Sequence, residues 1–256
     1  MSEAPFIHDE PALSEYDGLR YLHFGSEWVQ GVMRPSRPSE LVLAYTRQMM
    51  SWLLFKQPAR KDTLGILGLG AGSLTRYCMR YTASLLVTVE WNPAVTAICR
   101  QYFRLPVSLR SLVEHMDAGQ WVSLPENHDT LSALMVDLYD ADAQGPVRNS
   151  LEFYTDCRTV LADDGIMTVN LFGNHDSFQP NIDRIRAAFN NQVLELPEID
   201  AGNRIVLAFK SGIPPVSTAD LLNRAQELEQ DYRLPEATRW VRELLESMQS
   251  AKKSRD

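Results

Sequence analysis

The residues best suited to chemistry are three alternating glycines and four acids placed one after another along the chain. Gly68, Gly70 and Gly72 lie in Thr63-Leu-Gly-Ile-Leu-Gly-Leu-Gly-Ala-Gly-Ser-Leu-Thr-Arg76, between an apolar run and a helical pattern, with Ala71 inside the turn. Glu90 ends the next apolar run, Leu85-Leu-Val-Thr-Val89, and Asp117, Asp137 and Asp140 follow at the ends of later runs. Glycines let a backbone approach its ligand closely, and an acid at the tip of the second strand accepts hydrogen bonds from ribose hydroxyls. The pattern therefore predicts nucleoside binding, whereas glycines kept only for close helix packing are the plainer reading of the turn alone. Ligands of open α/β sheets sit outside the carboxyl ends of the strands. There, Glu90 would take the ribose, and Asp117 with the next amide, that of Ala118, would read the adenine edge. Asp137 and Asp140 would lie over the reactive end of the nucleotide. Taken singly, Asp117 and Asp140 are equally a helix cap or a solvated loop carboxylate, a reading that fits Glu90 and Asp137 less well, and the four together carry the argument.

Alternating strand and helix signals position these residues. Strands are expected at 64–68, 85–90, 112–116, 131–137, 166–171, 193–196 and 204–210, and helices at 73–81, 93–102, 118–123, 150–161 and 180–190. Asn92-Pro93 supplies a cap and an N1 proline, and Asp163-Asp164-Gly165 reads as a turn. Mostly apolar strands in alternation with helices predict a parallel sheet covered on both faces. Only Pro197 to Asn203 separate the last two strands, too few residues for a crossover, so those two should be antiparallel. The fold class is α/β, a Rossmann-like sheet of the class I methyltransferase type with one terminal antiparallel strand. Residues 61–212 form this nucleoside-binding part. Before it, residues 1–60 predict a hairpin around Gly25-Ser26 and a helix from a Ser39 cap, with Glu40 in its first turn, to Phe55. After it, residues 213–256 predict two amphipathic helices, read as a packed tail or an interface.

The totals set outer limits. At 256 residues, 45% hydrophobic and 23% charged, the chain can bury an ample core and reads as soluble. A net charge of −8 argues against a nucleic-acid partner and suits a cationic small molecule. Cys78, Cys99 and Cys157 are dispersed and read as reduced thiols of a cytoplasmic protein. The scattered histidines show no ligand spacing, so no metal is expected, and no apolar run approaches membrane-spanning length.

Together, Leu67-Gly-Leu-Gly-Ala-Gly-Ser-Leu-Thr-Arg76, Val89-Glu90, Met116-Asp117-Ala118 and Val136-Asp137-Leu-Tyr-Asp140, then Gly145-Pro146 and Glu152-Phe153-Tyr154, resemble the spermidine synthase family, the polyamine aminopropyltransferases. The resemblance spans roughly residues 60 to 210. It implies a methyltransferase-type fold, a homodimer, and decarboxylated S-adenosylmethionine as co-substrate. It also implies transfer of an aminopropyl group to an amine such as putrescine, with release of methylthioadenosine. Asp137 and Asp140 match the family's Asp-x-x-Asp loop, which holds the acceptor amine and helps deprotonate it. Tyr45 and Glu40 stand nearest to the family's Tyr-His-Glu substrate signature.

The chain departs from the family at Ala71, where the glycine motif carries an Asp suited to the ammonium of the decarboxylated tail, and at Ile199, where the amine pocket has a Tyr. Losing one charge-assisted contact, about 1.5–3 kcal/mol, is enough to alter donor choice by one to two orders of magnitude. Methyl transfer from ordinary S-adenosylmethionine is therefore the first alternative, and a non-catalytic nucleoside-binding relative the second. In the primary reading, the acceptor amine has a pKa of about 10, by analogy with Lys, and arrives as an unreactive ammonium. A carboxylate must bind it, align it and take or relay its proton.

Overall fold

The computed structural model describes residues 10–25, 28–139, 148–173, 175–199 and 202–253. Its centre is a seven-stranded sheet in the order β6-β5-β4-β7-β8-β10-β9, built from β4 (Thr63–Leu67), β5 (Leu85–Val89), β6 (Ser111–Glu114), β7 (Leu131–Val136), β8 (Leu161–Phe172), β9 (Val193–Glu195) and β10 (Asn203–Phe209). β4 pairs parallel with both β5 and β7, β5 with β6, and β7 with β8. β10 runs antiparallel to β8 and to β9. The antiparallel strand is last in sequence but lies one place in from the sheet edge, between β8 and β9.

The strand composition explains this arrangement. Every residue of β7 is buried, as a central strand covered on both faces requires. The helices α2 (Ser73–Tyr81), α3 (Pro93–Tyr102), α4 (Ala118–Ser123), α5 (Leu151–Val160) and α6 (Phe178–Ala188) connect successive strands. Asn92, Asp117 and Ser150 cap α3, α4 and α5 by accepting from backbone amides. The Asp163-Asp164-Gly165 turn is absorbed into β8. Its register against β7 passes from Leu131↔Leu161 to Ala133↔Ile166, so the three residues, with Ala162, bulge out of a continuous strand.

The N-terminal region differs from expectation in two places. A three-stranded antiparallel meander is present, β1 (Pro11–Tyr16), β2 (Leu19–Phe24) and β3 (Gly31–Met33), where only the β2–β3 hairpin was expected. Asp17-Gly18 turns β1 into β2 with positive φ at both residues, 50° and 70°. That dipeptide is a strong short-range hairpin signal. Ser39 does not cap a helix. Glu40 is paired with Arg34 and Arg37, and the carbonyls of Leu41 and Val42 accept from Arg47 instead of from helical amides. Helix α1 therefore starts at Ala44, ends at Gln48, and tightens into the 3-10 helix Met49–Leu54.

That 3-10 segment is buried throughout and packs on β8 and β10. Helices α7 (Thr218–Asp231) and α8 (Ala237–Lys253) complete the same core, where Leu221, Leu228, Trp240, Val241 and Leu244 join Trp52, Leu53, Ile205 and Leu207. Arg47 reaches α8's start through Glu236 at 2.9 Å, and Arg224 of α7 donates to the Leu53 carbonyl at 2.9 Å. The helical tail is thus packed against the sheet, on the face that also carries α1.

Arg76 joins three segments. It is 3% exposed and donates to the carbonyls of Pro38 (2.6 Å), Phe103 (2.9 Å) and Ala71. Burial lowers its pKa to about 10, which leaves it cationic at neutral pH. Arg76→Ala would strip three carbonyls of their donor, each costing about 1–3 kcal/mol. We expect a loss of about 3 kcal/mol or more, or about 6–12 °C in melting temperature at this chain length, measured by thermal denaturation.

Candidate active site

The glycine turn is shaped by what surrounds it. Gly68, Gly70 and Gly72 have φ of 92°, 48° and 73°, a region costly for residues with a Cβ. A Cβ on Gly68 would lie 2.2 Å from the Asp137 carbonyl, which excludes any other residue there. Gly68 donates to Val89 O at 2.9 Å and Asp137 to Leu67 O at 2.9 Å, so the tips of β5, β4 and β7 are locked side by side. Ala71 is 2% exposed, and β3 covers it so closely that a Cβ on Gly31 would fall 2.6 Å from the Ala71 methyl. Position 71 therefore faces the meander's apolar cluster, with Leu22, Met33 and Phe103.

Glu90, 6% exposed, turns its carboxylate back on the turn. One oxygen accepts from Leu69 N at 3.1 Å and the other from Asn92 N at 2.9 Å. Burial raises its pKa while the backbone amides of Asn92, Leu69 and Trp91 pull it down. Asp117 caps α4 through Gln120 N at 3.1 Å, and its second oxygen takes the Arg148 guanidinium at 2.6 Å. Ala118, buried, opens that helix. Arg148 donates twice to that Asp117 oxygen, from Nε at 3.2 Å and Nη2 at 2.6 Å.

Asp137 has its carboxylate held from two sides. It leaves β7 where the parallel neighbours Val136 and Val169 place it beside Asn170 of β8. The Tyr45 hydroxyl, from α1, donates to one oxygen at 3.2 Å, and the Asn170 amide donates to the other at 3.0 Å. The Tyr139 hydroxyl donates to the Asn170 carbonyl at 3.3 Å. The residue keeps a partly accessible surface, while the protein around its carboxyl group displaces most of the water. Desolvation raises the Asp137 pKa, opposed by the bonds from Asn170 and Tyr45. Burial, with the adjacent Asp137 charge, lifts the Tyr45 phenol well above its ordinary value, so it stays a donor. A raised pKa makes this carboxyl a better proton acceptor than an ordinary Asp.

The turn, Glu90, Asp117 and Asp137 all gather at the carboxyl ends of β4, β5, β6 and β7, and Tyr45 joins them across 92 positions of sequence. Glu40 is engaged by Arg34 and Arg37. Asp140, with the Gly145-Pro146 pair, lies outside the described residues. Asn170 and Arg148 emerge only from the structure. Asn170 falls within the strand expected at 166–171, and a polar side chain between Val169 and Leu171 near a strand's carboxyl end is itself a signal. Nothing in the sequence marks Arg148. Among the described residues, no group of three or more His, Cys, Asp or Glu is placed to hold a metal ion. Among them, too, no helix is long and apolar enough to cross a membrane.

No protein-family model matches the chain. Curated relatives do. A polyamine aminopropyltransferase of Neisseria meningitidis is 35% identical over 227 residues, covering 88% of this chain and 85% of the relative. One from Chromobacterium violaceum is 33% identical over 228 residues, with the same coverage of 88% and 85%. Among solved structures, a probable spermidine synthase from Corynebacterium glutamicum superposes with a TM-score of 0.70 at 17% identity, covering 84% of this chain and 83% of its own. Human methyltransferase-like protein 13, in complex with SAH, superposes with a TM-score of 0.63 at 20% identity, covering 75% and 93%. The structural likenesses carry the fold, a class I methyltransferase-type sheet. With the sequence kinship, the chain belongs to the polyamine aminopropyltransferase family.

Proposed function

We propose that the protein transfers an aminopropyl group from decarboxylated S-adenosylmethionine to a primary amine such as putrescine, releasing methylthioadenosine. The observation that carries this reading is the Asp137 carboxylate, partly desolvated and held from two sides beside the glycine turn. The backbone at Gly68, Gly70 and Gly72 would pass close to the nucleoside. Glu90 would take the ribose hydroxyls, and Asp117 with the Ala118 amide would meet the adenine edge. Asp140 would be the second acid for the amine.

The chemistry follows from charge. The amine binds as an ammonium against Asp137 and gives up one proton to that carboxylate, directly or through water. Its freed lone pair attacks the carbon next to the sulfonium. The C–N bond forms as the C–S bond breaks, the bonding pair returns to sulfur, and the neutral thioether leaves. The sulfonium is already an activated leaving group, so alignment and proton removal are what the protein must supply. The reading includes a cytoplasmic homodimer without nucleic-acid or membrane partners, in keeping with the net charge of −8 and the family resemblance. It also divides the chain at about residues 60 and 212, with the first part supplying Tyr45.

Ala71 supports a second reading. Its methyl lies under β3, so position 71 offers the donor's tail neither attraction nor repulsion, and methyl transfer from ordinary S-adenosylmethionine is open to the same pocket.

Two expectations follow. Asp137→Asn should lower kcat by about a hundredfold to ten-thousandfold in an aminopropyl-transfer assay; retained activity would remove Asp137 from the mechanism. The same variant should melt higher than the parent. With a folded-state pKa raised above the unfolded one, Asp137 stabilises most when protonated and loses that contribution as pH rises through the folded value. The gap between variant and parent should thus widen with rising pH and close under acid. Second, decarboxylated S-adenosylmethionine at a hundred times its Kd should stabilise the protein by about 2.7 kcal/mol, and ordinary S-adenosylmethionine at the same concentration by less. The reverse order in thermal-shift measurements would favour methyl transfer.

A further inference from the structure

The protein's own groups engage both oxygens of Asp117. Oδ1 accepts from Gln120 N at 3.1 Å and caps α4. Oδ2 accepts from Arg148 Nε at 3.2 Å and Nη2 at 2.6 Å. The Arg148 arm passes over Gly119, where a Cβ would lie 3.7 Å from Nε, so the bare first turn of α4 gives the guanidinium its path to Asp117. The backbone behind the arm is fixed. The Asn149 carbonyl accepts from Arg184 Nη1 at 3.1 Å, and the Ser150 hydroxyl caps α5 through Phe153 N at 3.0 Å. Both partners remain in reach of water, Arg148 51% and Asp117 33% exposed, so this ion pair can open at small cost. An adenine 6-amino group and a guanidinium are both N–H donors, and here they would seek the same acceptor. Oδ1 is committed to the cap, which leaves Oδ2 for the amino group. That oxygen already takes two N–H bonds from Arg148.

We propose that Arg148 competes with adenine for Asp117 and thereby sets how tightly, and how selectively for the base, the nucleoside is held. The inference rests on the reading that Asp117 meets the adenine edge, and adds to it a specificity-determining residue. Adenine binds only as the ion pair opens or tilts away. A purine with a carbonyl at position 6 has the opposite relation to the pair: its oxygen accepts from Arg148 and is repelled by a bare Asp117 carboxylate. Donor and spent nucleoside carry the same base, so the competition loosens the hold on both alike.

Calorimetric titration of the full chain with methylthioadenosine and with methylthioinosine, its 6-oxo counterpart, tests this in the parent, Arg148→Met and Arg148→Lys. Melting curves check that each variant is folded. Arg148→Met should tighten methylthioadenosine by about twofold to fivefold, the worth of an exposed ion pair, and weaken methylthioinosine. Arg148→Lys keeps the charge without the paired donors and should fall between parent and Arg148→Met for both ligands. Methylthioadenosine is neutral, so added salt acts chiefly on the ion pair, and the gap between parent and Arg148→Met should narrow as salt rises. Opposite shifts for the two nucleosides are the readout that a merely structural arginine would not produce. Weaker methylthioadenosine binding in Arg148→Met, equal shifts for both ligands, or no shift in either would overturn the inference while aminopropyl transfer, assayed separately, stands. Opposite shifts in a protein that transfers no aminopropyl group would sustain the inference and overturn the proposed function. Failure of parent and variants alike to bind either nucleoside would overturn both.

Discussion

Much of the site depends on one close approach, the Gly68 backbone against the carbonyl of Asp137. The 2.2 Å that a Cβ would leave admits only glycine, and the positive φ that follows turns the chain sharply off β4. That turn brings the glycine loop alongside β7, so the loop backbone and the Asp137 carboxylate share one edge of the sheet. The hydrogen bonds Gly68–Val89 and Asp137–Leu67, both 2.9 Å, tie the two neighbouring strand tips to the same point. Register here is a matter of backbone contact, and side-chain chemistry is built on top of it.

Asp137 shows the opposing demands on such a site. Burial disfavours its charge, while Tyr45 and Asn170 restore part of the lost solvation. A fully solvated Asp would bind a cation weakly and accept protons poorly, and a fully dry one would stay protonated. The partly accessible arrangement lies between these limits. Tyr45 comes from a helix shortened by Arg47's hold on the Leu41 and Val42 carbonyls, so an ion-pairing residue with Glu236 of the C-terminal region also helps set the phenol's position. Glu236, at the start of α8, is thereby tied to the helix that carries Tyr45.

Ala71 and Gly31 form a second close approach, and it distinguishes this chain from the family pattern. The meander's third strand lies directly on the glycine loop, and Arg76 fastens that loop to Pro38 and Phe103 from within. An acid at position 71 would be pressed against this apolar layer. The small residue is thus compatible with its own neighbourhood.

The sequence by itself determined the alternation of apolar strands and helices, the glycine turn, the Asn92 cap, and the acids at strand ends, because each is a local pattern with a local cause. Asp17-Gly18 was equally legible as a hairpin signal, although only the second hairpin was expected from the chain. Tertiary structure decided what local pattern cannot encode. It moved the start of α1 from Ser39 to Ala44, because Glu40 found partners in Arg34 and Arg37 and two carbonyls found Arg47. It placed Tyr45 on Asp137 across 92 residues and Arg148 on Asp117 across 31. It also set the Asn170 side chain of β8 against the Asp137 carboxylate. Such pairings depend on which strands lie side by side, and in this sheet β7 neighbours β8 and β4 only after the crossovers have packed.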